Sequence, residues 1–136
     1  MSDETSNRKK DHLQLCLTDK VKFKEKTTGF EKYDFIHHAI TEVNIDSIDF
    51  SSKFFNKKVN FPFIISSMTG GAEKAEHINH QLASAANELN IPMGVGSQRQ
   101  LLENDKYLRS YKIIREQAKN IPVLGNLGMA EIVNAK

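Results

Sequence analysis

The chain has 136 residues, of which 39% are hydrophobic and 26% are charged, and its 19 basic and 17 acidic side chains give a formal net charge of +2. This composition is typical of one globular domain or part of a larger one, and it excludes a fully disordered chain and argues against a bulk nucleic-acid binder. The single cysteine allows no internal disulfide, no apolar run approaches the length of a membrane span, and the polar N-terminus lacks the features of a signal peptide. We therefore expect a cytoplasmic protein without a membrane or nucleic-acid partner, in which any anion site is a local cluster.

The first 60 residues divide by composition. Residues 1–32 are dense in charge and poor in bulky apolar side chains, which favours a charged N-terminal arm that is extended or partly mobile. Residues 33–60 show a weak strand signal around residues 54–59, and we expect them to form a cover segment or a short hairpin.

The strongest structural pattern begins at residue 61. An apolar residue followed by proline occurs at residues 61–62, 91–92 and 121–122, a spacing of 30 residues both times. Each pair opens a short run with strand character, which predicts strands at 61–66, 91–96 and 121–126. Proline is tolerated at the first position of a strand because that position need not donate a ladder hydrogen bond.

A helical pattern follows each predicted strand. Apolar residues recur at three- and four-residue steps over residues 72–89, which predicts a first helix. A second helix is expected within residues 103–119, and a third is expected to begin near Met129.

Strand–helix repeats of this length predict parallel strands joined by right-handed crossovers, and their continuously apolar strands indicate a sheet covered on both faces. A doubly wound sheet and an eightfold barrel both satisfy the pattern. The even repeat and the polar residues after every strand favour the barrel. Eight units need about 240–250 residues, so we predict an α/β fold in which residues 61–136 are the first two and a half units of an incomplete (β/α)8 barrel.

The loops after the strands form the active face of such a barrel. The first loop, residues 66–71, has paired glycines that allow close backbone approach, and the second, residues 94–99, combines Gly, Ser and Arg in a way that suits a phosphate. The third, residues 126–128, begins with a carboxamide that can bond the edge of a heterocyclic ring. Each loop taken alone is equally consistent with an ordinary surface turn.

Other polar residues outside these loops carry weaker signals. The basic run near residues 8–12 reads either as a solvated charge run or as an arm that closes over an anionic substrate. His77 and His80 lie one helical turn apart without an evident third ligand, which favours surface histidines over a metal site. Cys16 is interpreted as a small buried or half-buried residue rather than a nucleophile.

Taken together, six short pieces resemble the N-terminal part of the type 2 isopentenyl-diphosphate isomerases, which are flavin-dependent enzymes of isoprenoid synthesis. Their order and spacing agree over nearly the whole chain, so the ordered set is specific although each piece is weak. The pieces are Arg8-Lys9-x-x-His12, Thr28-Gly29-Phe30-Glu31-x-Tyr33, Met68-Thr69-Gly70-Gly71, Ile78-Asn79, Gly94-Val95-Gly96-Ser97-Gln98-Arg99 and Asn126-Leu127-Gly128.

The resemblance implies a role for each matching residue. It places FMN against Ser67, Met68, Thr69, Ser97 and Asn126, and the substrate diphosphate against Arg8, Lys9, His12 and Arg99. It also implies a 1,3-allylic proton shift from isopentenyl to dimethylallyl diphosphate with reduced FMN, reduction of the flavin by NADPH, magnesium on the diphosphate, and a homo-oligomer in the full-length family. It assigns no catalytic side chain and no metal ligand within this chain.

The chain departs from the family pattern in two ways. It reads His37-His38-Ala39-Ile40-Thr41-Glu42 where the family usually has Asn-Ala-Leu-Pro after the first of these histidines, which affects a packing corner rather than chemistry. It also matches only about the first third of a family member, and the resemblance implies that a full-length member forms a complete barrel.

These departures leave two other functions open. One is an inactive remnant, or a partial flavin- or diphosphate-binding segment without turnover. The other is a different FMN barrel, such as a hydroxy-acid oxidase. The pairing of Arg8 and Lys9 with residues 96–99 argues against the oxidase, because such enzymes bind carboxylates without that pairing.

Overall fold

The computed structural model describes residues 2–133. Within these residues, five α-helices and four strands occur in the order α1 (Ser2–Cys16), β1 (Ser52–Phe54), β2 (Lys57–Val59), α2 (Ala75–Leu89), β3 (Met93–Gly94), α3 (Arg99–Glu103), α4 (Leu108–Gln117), β4 (Val123–Leu124) and α5 (Met129–Val133). Single turns of 3₁₀ helix lie between α1 and β1, at Asp19–Val21, Phe30–Lys32 and Ile45–Ser47. No helix in the described part of the chain is long and apolar enough to cross a membrane.

The predicted parallel arrangement is confirmed, although the strands are shorter than expected. β3 pairs with β4 in parallel, with Met93 opposite Val123. Ile65 makes a parallel bridge to Met93 on the other side of β3, and the Gly94 N–H donates to the Ile65 carbonyl at 2.7 Å. Three chain segments therefore run side by side in sequence order, and their carboxyl ends meet at one edge.

The first predicted strand, residues 61–66, is wrong in its extent, because only Ile65 pairs. The expectation of a sheet covered on both faces also fails here, since Phe63 is 67% exposed and Ile64 is 46% exposed. None of the described residues buries these two side chains. A segment with only one paired residue and no element packed over it does not form a regular ladder of backbone hydrogen bonds.

The core lies between the parallel segments and the facing sides of the helices α2 and α4. α2 contributes Ala83 and Ala86, which bring the helix backbone close to α4, and Ile114 of α4 is 1% exposed. Met93 of β3 is buried beneath them, at 2% exposure. The three- and four-residue apolar periodicity that predicted α2 and α4 therefore corresponds to the faces that form the core.

The expected hairpin is confirmed. β1 and β2 pair antiparallel with Phe54 opposite Lys57, and Phe55 and Asn56 between them both have positive φ, at 46° and 61°. Two central residues with positive φ match the right-handed twist of paired strands, as in a two-residue hairpin loop.

The prediction of an extended or mobile arm is wrong for Ser2–Cys16, which form the helix α1. Its stability comes from contacts with residues far along the chain. The Thr5 hydroxyl donates to the Glu103 carboxylate at 2.6 Å, and both Thr5 and Ser6 are buried. A helix with so little apolar surface is stable here because its buried hydroxyls have partners on other elements.

The division into arm, cover segment and barrel units stays a prediction, and residues 1 and 134–136 of it lie outside the described residues. Residues 33–48 carry bulky apolar side chains that face solvent, with Phe35 98% exposed and Ile40 90% exposed.

Candidate functional site

Three loops follow the parallel segments, and the structure brings them into direct contact. We call them L1 (residues 66–71), L2 (residues 94–99) and L3 (residues 126–128). The Gly96 N–H donates to the Thr69 carbonyl at 3.2 Å, which joins L2 to L1, and the Gln98 N–H donates to the Asn126 carbonyl at 2.9 Å, which joins L2 to L3. The carboxyl edge of the parallel segments therefore presents one continuous polar surface.

Glycine is required at two L2 positions because the L1 backbone lies against them. A Cβ on Gly94 would overlap the Ser67 hydroxyl, and a Cβ on Gly96 would overlap the Thr69 backbone. Neither glycine has a positive φ, so it is the close approach of the loops, and not the backbone conformation, that demands glycine.

L1 is held from behind by buried polar side chains of α2 and α4. Asn79, which is 1% exposed, donates from Nδ2 to the Ser110 carbonyl at 2.7 Å and to the Thr69 carbonyl at 3.2 Å. The Ser110 hydroxyl accepts from the Gly71 N–H at 3.0 Å. Buried side chains that bond to the loop backbone in this way fix its conformation.

The helix α1 lies against L1 and L2 through Lys9. The Lys9 ammonium donates to the Ser97 carbonyl at 2.7 Å and to the Tyr111 hydroxyl at 3.0 Å, and it lies 5.6 Å from the centre of the Tyr111 ring. The Tyr111 hydroxyl in turn donates to the Ser97 carbonyl at 2.9 Å. These contacts form one closed set that links Lys9 of α1, Tyr111 of α4 and the Ser97 carbonyl of L2.

Burial perturbs both ionisable groups of this set. The pKa of the Lys9 ammonium is lowered from 10.5 to about 8, chiefly by burial and further by the charge of Arg8, while Glu103 partly offsets the decrease. Burial raises the pKa of the Tyr111 phenol from 10.0 to about 12, so the hydroxyl keeps its proton throughout the physiological range.

A cleft of about 660 Å³ opens between α1 and α3, next to this set. Arg8 from the arm and Arg99 from the end of L2 line it from opposite sides, together with Glu4, Thr5, Asn7, Asp11 and Glu103. Two guanidinium groups facing one solvent-filled space suit a ligand with several anionic oxygens.

Arg99 is the last residue of L2 and also the first residue of the short helix α3. Its guanidinium Nε lies 3.6 Å from a Glu131 carboxylate oxygen and 3.9 Å from one of Glu103, and the side chain is 52% exposed. Because both distances are long, the two carboxylates orient the guanidinium only loosely, and it stays accessible from the cleft.

A family model described as FMN-dependent dehydrogenase matches residues 1–104, which is more than half of the chain. The chain belongs to the FMN-dependent dehydrogenase family. Residues of the arm, L1 and L2 all fall within the matched range, whereas L3 falls outside it.

Curated relatives of the chain include proteins named isopentenyl-diphosphate delta-isomerase from several bacteria. The chain is 43% identical to that of Chlorobium limicola over 97% of its own length and 38% of the relative's, and 48% identical to that of Vibrio parahaemolyticus over 93% and 38%. It is 42% identical to that of Pseudescherichia vulneris over 100% of its own length and 40% of the relative's. The chain thus spans about two fifths of the length of the relatives it matches.

The residues singled out for FMN lie on the joined loops. Ser67 and Met68 face solvent, with Met68 65% exposed, while Thr69, Ser97 and Asn126 are half-buried. Their side chains are neutral donors and acceptors beside an accessible thioether, a set that suits the polar edges and flat face of a ring system. The roles of these five residues stay predictions.

The residues singled out for the diphosphate separate into two groups. Arg8 and Arg99 line the cleft, whereas Lys9 and His12 line a small cavity of about 20 Å³ with Leu13, Met68, Thr69 and Gly70. The structure therefore places Arg8 and Arg99 in the same cleft, and it places Lys9 and His12 beside L1. These four assignments also stay predictions.

Sequence reasoning missed Tyr111 and Ser110 as parts of the site. Both are buried residues of α4. The sequence signal that could have found them is the adjacent serine and tyrosine within the predicted second helix, because a buried hydroxyl or phenol needs a polar partner.

Proposed function

We propose that the protein carrying this chain is a type 2 isopentenyl-diphosphate isomerase, built on a (β/α)8 barrel of which these residues form the first units. It interconverts isopentenyl and dimethylallyl diphosphate by a 1,3-allylic proton shift with reduced FMN. The observation that carries the proposal is the cleft in which Arg8 and Arg99 face each other beside the joined loops. The names of the curated relatives support the same activity.

In this proposal the diphosphate enters the cleft between α1 and α3. Arg99 and Arg8 are the cations that bind its oxygens, because both line the space and Arg99 is half exposed. A diphosphate oxygen makes a stronger ion pair with Arg99 than carboxylates at 3.6 and 3.9 Å do, so the substrate takes over part of their role. Glu103 and Glu131 then keep the guanidinium aimed at the cleft.

FMN fits the neutral polar surface formed by L1, L2 and L3. Ser67, Met68, Thr69, Ser97 and Asn126 would hold it there, and Lys9 and His12 approach L1 from the arm. When bound, the cofactor supplies the acid–base chemistry of the proton shift, and NADPH reduces it. The residues of this chain bind the diphosphate, orient the ring against L1 and, through α1, shield the loops from water.

Magnesium on the diphosphate is part of the proposal, but its ligands belong to other parts of the protein. Within residues 2–133 no group of three or more His, Cys, Asp or Glu side chains is placed to hold a metal ion. The proposal likewise assigns no catalytic residue to this chain. We also propose that the enzyme is a homo-oligomer located in the cytoplasm.

The test separates the two halves of the site in the complete protein. Arg99→Ala and Arg8→Ala should each raise KM for isopentenyl diphosphate by roughly tenfold to a hundredfold, the cost of losing a charged hydrogen bond, with flavin content near normal. Ser97→Ala and Asn126→Ala should instead lower flavin retention. Arg109→Ala is the matched control, because its ion pairs with Glu76 and Glu116 are surface contacts.

Steady-state kinetics and flavin absorbance on these five variants decide the assignment. If Arg99→Ala left KM unchanged and stripped the flavin, the diphosphate assignment would be wrong, and L2 would bind the cofactor phosphate instead. If the wild type held FMN but turned over neither isomer, the protein would be a partial flavin- or diphosphate-binding segment, which is the alternative function.

A further inference from the structure

Tyr111 of α4 contacts three separate parts of the site at once. Its hydroxyl donates to the Ser97 carbonyl of L2 at 2.9 Å and accepts from the Lys9 ammonium of α1 at 3.0 Å. Its ring lies so close to Gly70 of L1 that a Cβ there would overlap it, and a Cβ on Gly71 would lie 2.7 Å from the hydroxyl. L1, L2 and α1 therefore meet on one side chain.

The surroundings give Tyr111 little freedom to leave this position. The side chain is 7% exposed and belongs to the core cluster with Ile113 and Ile114. Its neighbour Ser110 is also buried and binds the Gly71 N–H. Because α4 is anchored in the core, the hydroxyl is a fixed point, whereas α1 is otherwise attached to L1 and α3 through the Thr5 and Ser6 hydroxyls.

The position of Arg8 depends on this anchoring. Arg8 precedes Lys9 on α1 and lines the cleft opposite Arg99. Holding Lys9 against Tyr111 holds the helix, and the helix carries Arg8 to the cleft. Displacement of α1 would leave Arg99 facing the cleft without its partner guanidinium.

We propose that Tyr111 is a positioning residue that docks α1 onto L1 and L2 through Lys9 and thereby preorganises Arg8 for an anionic substrate. Tyr111 touches no substrate in this arrangement and acts through Lys9 and the helix. The kinetic consequence rests on the proposed isomerase function, whereas the docking of α1 stands without it. Lys9 is accordingly part of the docking contact, with its ammonium held by two oxygens of the protein.

The experiment uses hydrogen–deuterium exchange of the complete protein, read over Ser2–Cys16. Tyr111→Phe keeps the ring against Gly70 and removes only the hydroxyl. It should raise amide exchange in α1 by roughly tenfold or more, the effect of losing a hydrogen bond to a charged group. Tyr107→Phe is the matched control: Tyr107 lines a neighbouring cavity with residues of α1, and the Ser110 hydroxyl bonds to its backbone carbonyl, which the substitution keeps.

A double-mutant cycle with Lys9→Met shows whether the two side chains act together. Lys9→Met alone should loosen α1 to a similar extent, and adding Tyr111→Phe should change exchange little further. Unchanged exchange in α1 in both single variants would overturn the proposal. If Tyr111→Phe did not accumulate as folded protein, Lys9→Met would test the same contact from the other side.

Kinetics then link the docking to the reaction. Tyr111→Phe should raise KM for isopentenyl diphosphate severalfold with a smaller change in kcat, and Tyr107→Phe should change neither. Loosened α1 with an unaltered KM would overturn the link from Tyr111 to Arg8. Loosened α1 in a protein that shows no isomerase activity even as wild type would instead contradict the proposed function and leave the docking role supported.

Discussion

Gly96 offers the sharpest test of how L1 and L2 are joined, because substitution by alanine adds a single carbon at their contact. The Cβ of Gly96→Ala would overlap the Thr69 carbonyl group and would lie 2.8 Å from the Thr69 nitrogen. These are backbone atoms, so they cannot turn away as a flexible side chain would. The hydrogen bond from the Gly96 N–H to the Thr69 carbonyl, 3.2 Å long, must lengthen or break.

The magnitude follows from these two effects. Overpacking a buried contact costs about 1–3 kcal/mol, and a lost backbone hydrogen bond costs about 1 kcal/mol. We expect Gly96→Ala to lower the free energy of unfolding of the complete protein by about 2–4 kcal/mol, a large part of the roughly 5–15 kcal/mol of a typical domain. Because L1 must shift, flavin retention should fall as well.

The assay is urea unfolding followed by circular dichroism, with flavin absorbance measured on the same preparations. Gly125→Ala is the control, because its Cβ would lie 3.1 Å from the Gln98 Oε1, the far end of a flexible side chain. It should cost less than about 1 kcal/mol. A Gly96→Ala protein as stable as Gly125→Ala, with full flavin content, would refute the claim that close contact between L1 and L2 builds the site.

Three further predictions concern other parts of the molecule. Asn79→Ala should lower the free energy of unfolding by about 2 kcal/mol in urea unfolding, because two carbonyls lose their buried donor. The unfolded state binds more protons than the folded state between pH 8 and 10.5, because the pKa of Lys9 is about 8 when folded and 10.5 when unfolded. Stability measured by urea unfolding should therefore rise with pH across this window, and Lys9→Met should show a shallower rise. Residues 1–136 alone should not form a stable monomer, because Phe63 and Ile64 beside the parallel segments are exposed; a monodisperse monomer in sedimentation with a cooperative thermal transition would contradict this.

The parts of the fold that sequence reasoning found are those set by local patterns. The apolar steps of α2 run along a face that is buried in the structure, so its predicted range of 72–89 lies within three residues of the observed Ala75–Leu89. The 30-residue repeat placed the parallel segments correctly, because each of its prolines lies shortly before a paired residue, which is Ile65, Met93 or Val123. Local periodicity is informative wherever one face of an element is buried.

The parts it missed depend on contacts between distant residues. α1 carries no apolar stripe, and its buried Thr5 finds its partner in Glu103, 98 positions away. α3 has only five residues, too few for a periodic signal. Tyr111 was hidden within an apolar face because its polar role depends on Lys9 and Ser97, which lie far from it in sequence.

The helical form of the arm changes what its basic residues can do. Successive residues of an α-helix point about 100° apart, whereas residues three or four positions apart share a face. Glu4, Arg8 and Asp11 accordingly face the cleft with Arg99, while Lys9, His12 and Leu13 face L1. An extended arm could direct Arg8 and Lys9 at one ligand. In the helix α1 these two side chains point in different directions, so both could reach one ligand only if the helix rotated about its axis. The side chain of α1 that shares the cleft with Arg99 is therefore Arg8, whereas Lys9 lies against L1 and the Ser97 carbonyl.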